Sequence, residues 1–129
     1  MLVLRWIGWD LGRATGIEFY KNALGAKFVK DSAATHDVAG ASGSIFDGMK
    51  FSFDDGKQFY EVDSPDVIAP QDDAKAALNY ANGAGAAGIQ MAGEDGRGNV
   101  VMLAFPFETI TTGENRAEVM KRVLDFFRK

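Results

Sequence analysis

"AAGIQMAGEDGRGNVVMLAFPFETI", residues 86–110, is the stretch on which the reading of the fold turns. Its apolar runs at 86–93 and 99–105 are separated by Glu94-Asp95-Gly96-Arg97-Gly98, a turn-rich link that predicts two strands joined as a hairpin. From Val100 the second run is apolar throughout, as expected of a strand buried on both faces. It ends at Phe105-Pro106-Phe107-Glu108. Ends of strands often carry the chemistry of open-sheet enzymes, so this end is the first place to look for a site.

Outward from the hairpin, the two ends of the chain read as helical units. Residues 2–7 form an apolar strand closed by Gly8. Thr15 and Glu18 are spaced as a capping box, Ile17, Tyr20 and Leu24 share one helical face, and Gly25 is placed as a stop, which predicts a helix over 15–24. Residues 26–32 then read as another strand. Strand, helix, strand is the pattern of a right-handed parallel crossover. At the other end, Asn115 and Glu118 suggest a capping box opening a helix over 115–128, with Met120, Val123, Leu124 and Phe127 as its apolar stripe. Between these units, 38–73 is broken by Gly, Asp and Pro and reads as a loop-rich insertion with a short hairpin. Residues 71–83 read as a helical turn followed by a short strand. The sum is a single α/β domain over 1–129: a mixed, mostly parallel sheet with flanking helices.

Composition narrows the functional classes. The chain has 129 residues, a net charge of −4, no cysteine and one histidine, His36. A net negative chain is a poor fit to a phosphate backbone, so no nucleic-acid partner is expected. No apolar run is long enough to cross a membrane, and the start lacks the basic leader of a signal peptide. Without cysteine there is no thiolate nucleophile, thiolate metal site or disulfide.

Five features could carry chemistry. Gly83 to Gly88, "GAGAAG", has the spacing of a dinucleotide fingerprint, but a strand and a turn follow it where a helix is needed, so no cofactor is assigned. Asp54, Asp55, Glu61, Asp63 and Asp66 are an acidic loop without the spacing of a calcium loop, and no metal ligand is assigned. His36 beside Asp37 resembles an acid–base pair, but sequence neighbours in extended backbone point apart, so a surface histidine is expected. Trp6, Trp9, Phe19 and Tyr20 could stack on a sugar or belong to core. Asp54, Asp63 and Glu108 are the carboxylates that polysaccharide hydrolysis would require as a pair.

Two family resemblances bear on the choice. "GIEFYKNALGAKFV" (16–29) and "GNVVMLAFP" (98–106) resemble the opening helix and closing strand of the glyoxalase and vicinal-oxygen-chelate superfamily. That resemblance implies a metal held by His36 with Glu61 or Glu108. The broader one covers, in order, "GWDLGRATGIEFYKNALGAKFV" (8–29), "GSIFDGMKFSFDDG" (43–56), "YEVDSPDVI" (60–68), "ALNYANGAGAAGIQMAG" (77–93), "NVVMLAFPFETI" (99–110) and "NRAEVMKRVLDFF" (115–127). These blocks resemble the C-terminal region of xanthan-lyase-like, golvesin-associated bacterial proteins, a class I glutamine-amidotransferase-like domain. This resemblance implies a flavodoxin-like fold, a secreted or cell-surface setting, and the second half of a longer domain.

The same resemblance speaks to the strand end. Active amidotransferases carry Phe-His-Pro-Glu there, whose His and Glu complete a triad with cysteine. Here Phe105, Pro106, Phe107 and Glu108 stand in those places, so of the two triad positions only the acidic one is kept. Proline cannot accept a proton, and the chain has no cysteine. No catalytic residue is therefore assigned. The expected function is a non-catalytic structural or interaction domain with carbohydrate as a possible partner. Half a parallel sheet would leave an open edge, so a homo-oligomer is also expected. The alternative is a metal-dependent glyoxalase-like enzyme.

Overall fold

The computed structural model describes residues 26–30, 32–54, 65–71, 73–93 and 98–128. Seven strands follow one another: β1 (Ala26–Lys30), β2 (Asp37–Gly40), β3 (Lys50–Ser52), β4 (Val67–Pro70), β5 (Lys75–Tyr80), β6 (Ala86–Met91) and β7 (Val100–Leu103). A single turn of 3-10 helix at Phe107–Thr109 leads to α1 (Gly113–Phe127). The strands make one sheet in the order β1-β4-β6-β5-β2-β3, with β7 also paired to β6. β4 meets β6 through Ile68 and Ala86, whereas β7 pairs along Gly88–Met91 of the same strand.

Every pairing among the described strands is antiparallel. This corrects the expected flavodoxin-like, mostly parallel α/β sheet. The reason lies in the connections. A parallel neighbour needs a crossover of a dozen or more residues, whereas β5 turns into β6 over 81–85 and β6 into β7 over 92–99. The crossover proposed at the N-terminus involved residues 2–24, outside the described residues. Its last strand, β1, does form, and it pairs with β4 in antiparallel sense.

The region 38–73 is likewise no insertion. It supplies β2, β3 and β4 to the sheet, and Val38, Phe46, Phe51, Phe53 and Val67 to its core. Before β5, Ala74 N donates to Gln71 O at 3.0 Å.

The sheet separates two cores. Val101 and Leu103 of β7 join Val38, Phe51, Phe53, Leu78, Phe105, Val119 and Val123 on the face covered by α1. Val100, Met102 and Ala104 join Ile68 and Ile89 on the other face. Alternation with both faces buried explains why β7 is apolar at every position.

α1 starts earlier than its sequence suggests. Thr112 is the N-cap, its hydroxyl accepting from Asn115 N at 3.1 Å, so Asn115 lies within the first turn. The buried stripe is Val119, Val123 and Phe126. Met120 and Leu124 are turned away, Leu124 to 40% exposure. One residue of offset rotates a helix by about 100°, and the pattern Val119-Met120 … Phe126-Phe127 supports either stripe.

Candidate functional site

The strand end is a packed aromatic stack. Phe105 is fully buried, with its ring parallel to Phe53 at 4.2 Å between centroids. Phe51 meets the same ring edge-on at 6.4 Å, and His36 meets Phe53 edge-on at 5.2 Å. Pro106 is buried, and its carbonyl accepts from both Thr109 N at 3.0 Å and Thr109 Oγ1 at 2.6 Å. Thr109 O accepts from Asp54 N at 2.7 Å, and Phe53 bridges Ile110. These backbone groups at the corner are thus paired, and the buried side chains there are aromatic or aliphatic apart from Thr109, whose hydroxyl is bonded. Phe105 packs, Phe107 is half-buried against the same core, and Glu108 stands exposed in the 3-10 turn.

The remaining sequence candidates are described only in part. His36 is half-buried beside Phe53, while Asp37 is exposed and its carboxylate accepts from Ser52 Oγ. Asp54 and Asp66 fall at the two ends of the acidic loop; Asp55, Glu61 and Asp63 lie outside the described residues, as do Trp6, Trp9, Phe19 and Tyr20. No group of three His, Cys, Asp or Glu residues gathers among the described residues. Gly83 and Gly85 take positive φ in the β5–β6 turn, and Gly88 lies inside β6 under Leu103, so no helix opens after them. Buried Tyr80 donates its hydroxyl to the backbone carbonyl of Asp66. Burial, with the Asp66 charge second, raises the Tyr80 pKa well above its ordinary value.

A cleft of about 430 Å³ opens at the opposite end of the α1-facing surface. Lys75 of β5 and Gln90 of β6 are register partners, and Gln90 is in turn opposite Val101. Their side chains therefore share the sheet face on which Val101 packs. The loop 41–49 folds over this end as one wall. It can do so because residue 40 is glycine: a Cβ there would stand 1.6 Å from the Phe46 carbonyl oxygen. Ser44 Oγ bonds the carbonyls of Ala41 at 2.7 Å and Ala77 at 2.9 Å. Arg122 of α1 donates to the carbonyls of Ile45 at 3.2 Å and Asp47 at 2.9 Å, while Glu118 holds its Nε at 2.8 Å. That guanidinium holds the Glu118 carboxyl below its ordinary pKa.

Within the cleft, Gln90 Oε1 accepts from Ile45 N at 2.8 Å. A backbone N–H can only donate, so this bond fixes the amide orientation. The remaining Nε2 has no acceptor among the described residues, although Gln90 is only 7% exposed. A buried donor left this way costs about 1–3 kcal/mol. Lys75 Nζ donates to Gly43 O at 3.2 Å, which leaves two ammonium hydrogens to other acceptors. Asn99 closes the far wall, accepting from Gly93 N at 2.8 Å and donating to Phe126 O at 2.7 Å.

Reading the sequence for motifs missed this place. Its one local signal is Gln90, an amide in the otherwise apolar run "AAGIQM". The comparisons add no relative: the chain matches no protein-family model, no curated protein and no solved structure. No described helix is long and apolar enough to cross a membrane.

Proposed function

We propose that the chain is a non-catalytic interaction domain that works as a homo-oligomer, of the kind its sequence blocks resemble in xanthan-lyase-like proteins. The observation that carries this reading is the state of the strand end. Pro106, which the resemblance sets at the place of a triad base, is buried beside a Phe105–Phe53 stack, and none of these groups can move a proton. An oligomer would use the adjacent apolar side chains left at the surface of β1, Phe28 at 37% and Val29 at 50% exposure. Val29 lies between lysines 27 and 30, the apolar-centre, charged-rim arrangement common at interfaces.

Native mass spectrometry at micromolar concentration tests both parts. A metal-free dimer or larger particle is the expected result. A monomer would remove the oligomer. One transition metal per chain would overturn the non-catalytic reading and return attention to His36 with Glu61 or Glu108, the ligand set of the glyoxalase-like alternative.

A further inference from the structure

We propose that the Lys75–Gln90 cleft binds a small organic acid, its carboxylate held by Lys75 Nζ and Gln90 Nε2. This goes beyond the interaction role and does not depend on it. Three observations converge. First, the cavity, at about 430 Å³, lies in the range of small-molecule sites. Second, Gln90 is more than nine-tenths buried, lines that cavity, and has its acceptor atom committed to Ile45 N. The atom it has left is a donor without an acceptor among the described residues. Buried donors in folded proteins are paired, by protein, water or ligand. Third, Lys75 is the one formal charge among the described lining residues, in a chain whose net charge is −4.

Together these select an acceptor, and an anionic one. Two donors from register partners that line one cavity, one of them charged, match the two oxygens of a carboxylate. Among the described residues, two acceptors near the cleft are engaged elsewhere. Asp47 turns its carboxylate to Gly43 N at 3.0 Å, and the last carbonyls of α1 accept from Arg128 N and Asn99 Nδ2. Ile45, Ala92 and Phe126 give the rest of the lining an apolar character, which suits a ligand with a small apolar body behind its acid group.

The test is an NMR titration of the full chain with sodium benzoate and, separately, with neutral benzamide at matched ionic strength. Benzoate should shift the Gln90 side-chain amide and the Gly43–Ile45 and Gly93 backbone amides saturably, with a Kd on the order of 1 mM for so small a ligand. Benzamide should bind at least about tenfold more weakly, since it lacks the charge. Lys75→Met should weaken benzoate by a similar factor. Gln90→Glu keeps the acceptor for Ile45 N but replaces the donor with a carboxylate, and should abolish binding. Lys75 is exposed, so Lys75→Met leaves the fold intact and decides the matter alone if Gln90→Glu does not fold. Equal binding of the two probes, unchanged affinity in Lys75→Met, shifts centred elsewhere, or no saturable binding of benzoate would each overturn the proposal.

Discussion

The two ends of one sheet face differ in how completely their polar groups are satisfied. At the β7 exit, Phe105 stacks on Phe53 with Phe51 edge-on to it, and Pro106 O takes two bonds from Thr109. At the β6 exit, Gln90 is also buried but holds a donor in reserve, beside a lysine and an open cleft. The first end carries the residues that resemble a catalytic motif and is closed. The second carries no motif and has room and unused hydrogen-bonding capacity. Resemblance locates where chemistry sits in other chains; unsatisfied polar atoms locate where this chain can accept a ligand.

The contrast can be broken most strongly at its closed end. Phe105→Ala should cost about 3–5 kcal/mol, the usual range for emptying a buried phenylalanine site, read by urea unfolding. A loss below about 1 kcal/mol would mean that the stack is loose and the end is not packed core. The wall of the open end comes next. Gly40→Ala forces a Cβ onto the Phe46 backbone, where no rotamer change can relieve it. It should cost about 3 kcal/mol, the upper range for overpacking, and should disturb the 41–49 amides before the rest of the spectrum.

Tyr80 belongs to the closed end, and its raised pKa gives a pH signature. Above pH ~10 an unfolded tyrosine loses its proton while the buried one keeps it, so the folded state binds more protons and stability falls as pH rises. The slope from this group is about 1.4 kcal/mol per pH unit, present above pH ~10 and absent below. Tyr80→Phe should remove it, as unfolding curves between pH 8 and about 11 would show.

The smallest expected effects make the sharpest comparison. Thr109→Val removes a fully satisfied buried hydroxyl and should cost about 1 kcal/mol. Gln90→Met strands Ile45 N but also removes the unpaired Nε2, so the two changes offset and the net should stay within about 1 kcal/mol of zero. If Gln90→Met proved much the costlier of the two, the amide would be fully bonded and the two ends would not differ.

Local pattern carried some of this fold. The β6–β7 hairpin, the buried β7 and the existence of α1 are legible because each follows from period and turn chemistry within a dozen residues. Strand direction is not local. The strand-helix-strand pattern at the N-terminus favoured a parallel sheet, while the short links on either side of β6 impose an antiparallel one on the described strands. The α1 stripe was misplaced because hydrophobic residues crowd both 119–120 and 126–127, and only the packed sheet selects Val119 and Phe126. Arg122 reads as a solvated charge, yet it clamps a loop some 75 residues earlier in the chain. The Ile45–Gln90 bond spans 45 residues. No periodicity encodes contacts of that separation. At the β7 exit the sequence alone shows Pro106 and no cysteine in the chain, but the packing of Phe105 on Phe53 is again a contact between distant residues.

The most direct measurement is a fragment screen followed by amide NMR over the whole molecule, using acids, bases and neutral fragments in separate pools. Shifts are expected from the acidic pool alone, gathered on Gly43–Ile45, Gln90 and Gly93, with His36, Phe53 and Phe105–Glu108 unmoved. Binding centred on His36 and Glu108, or at the β7 exit by any pool, would contradict the assignment of a closed end and an open one.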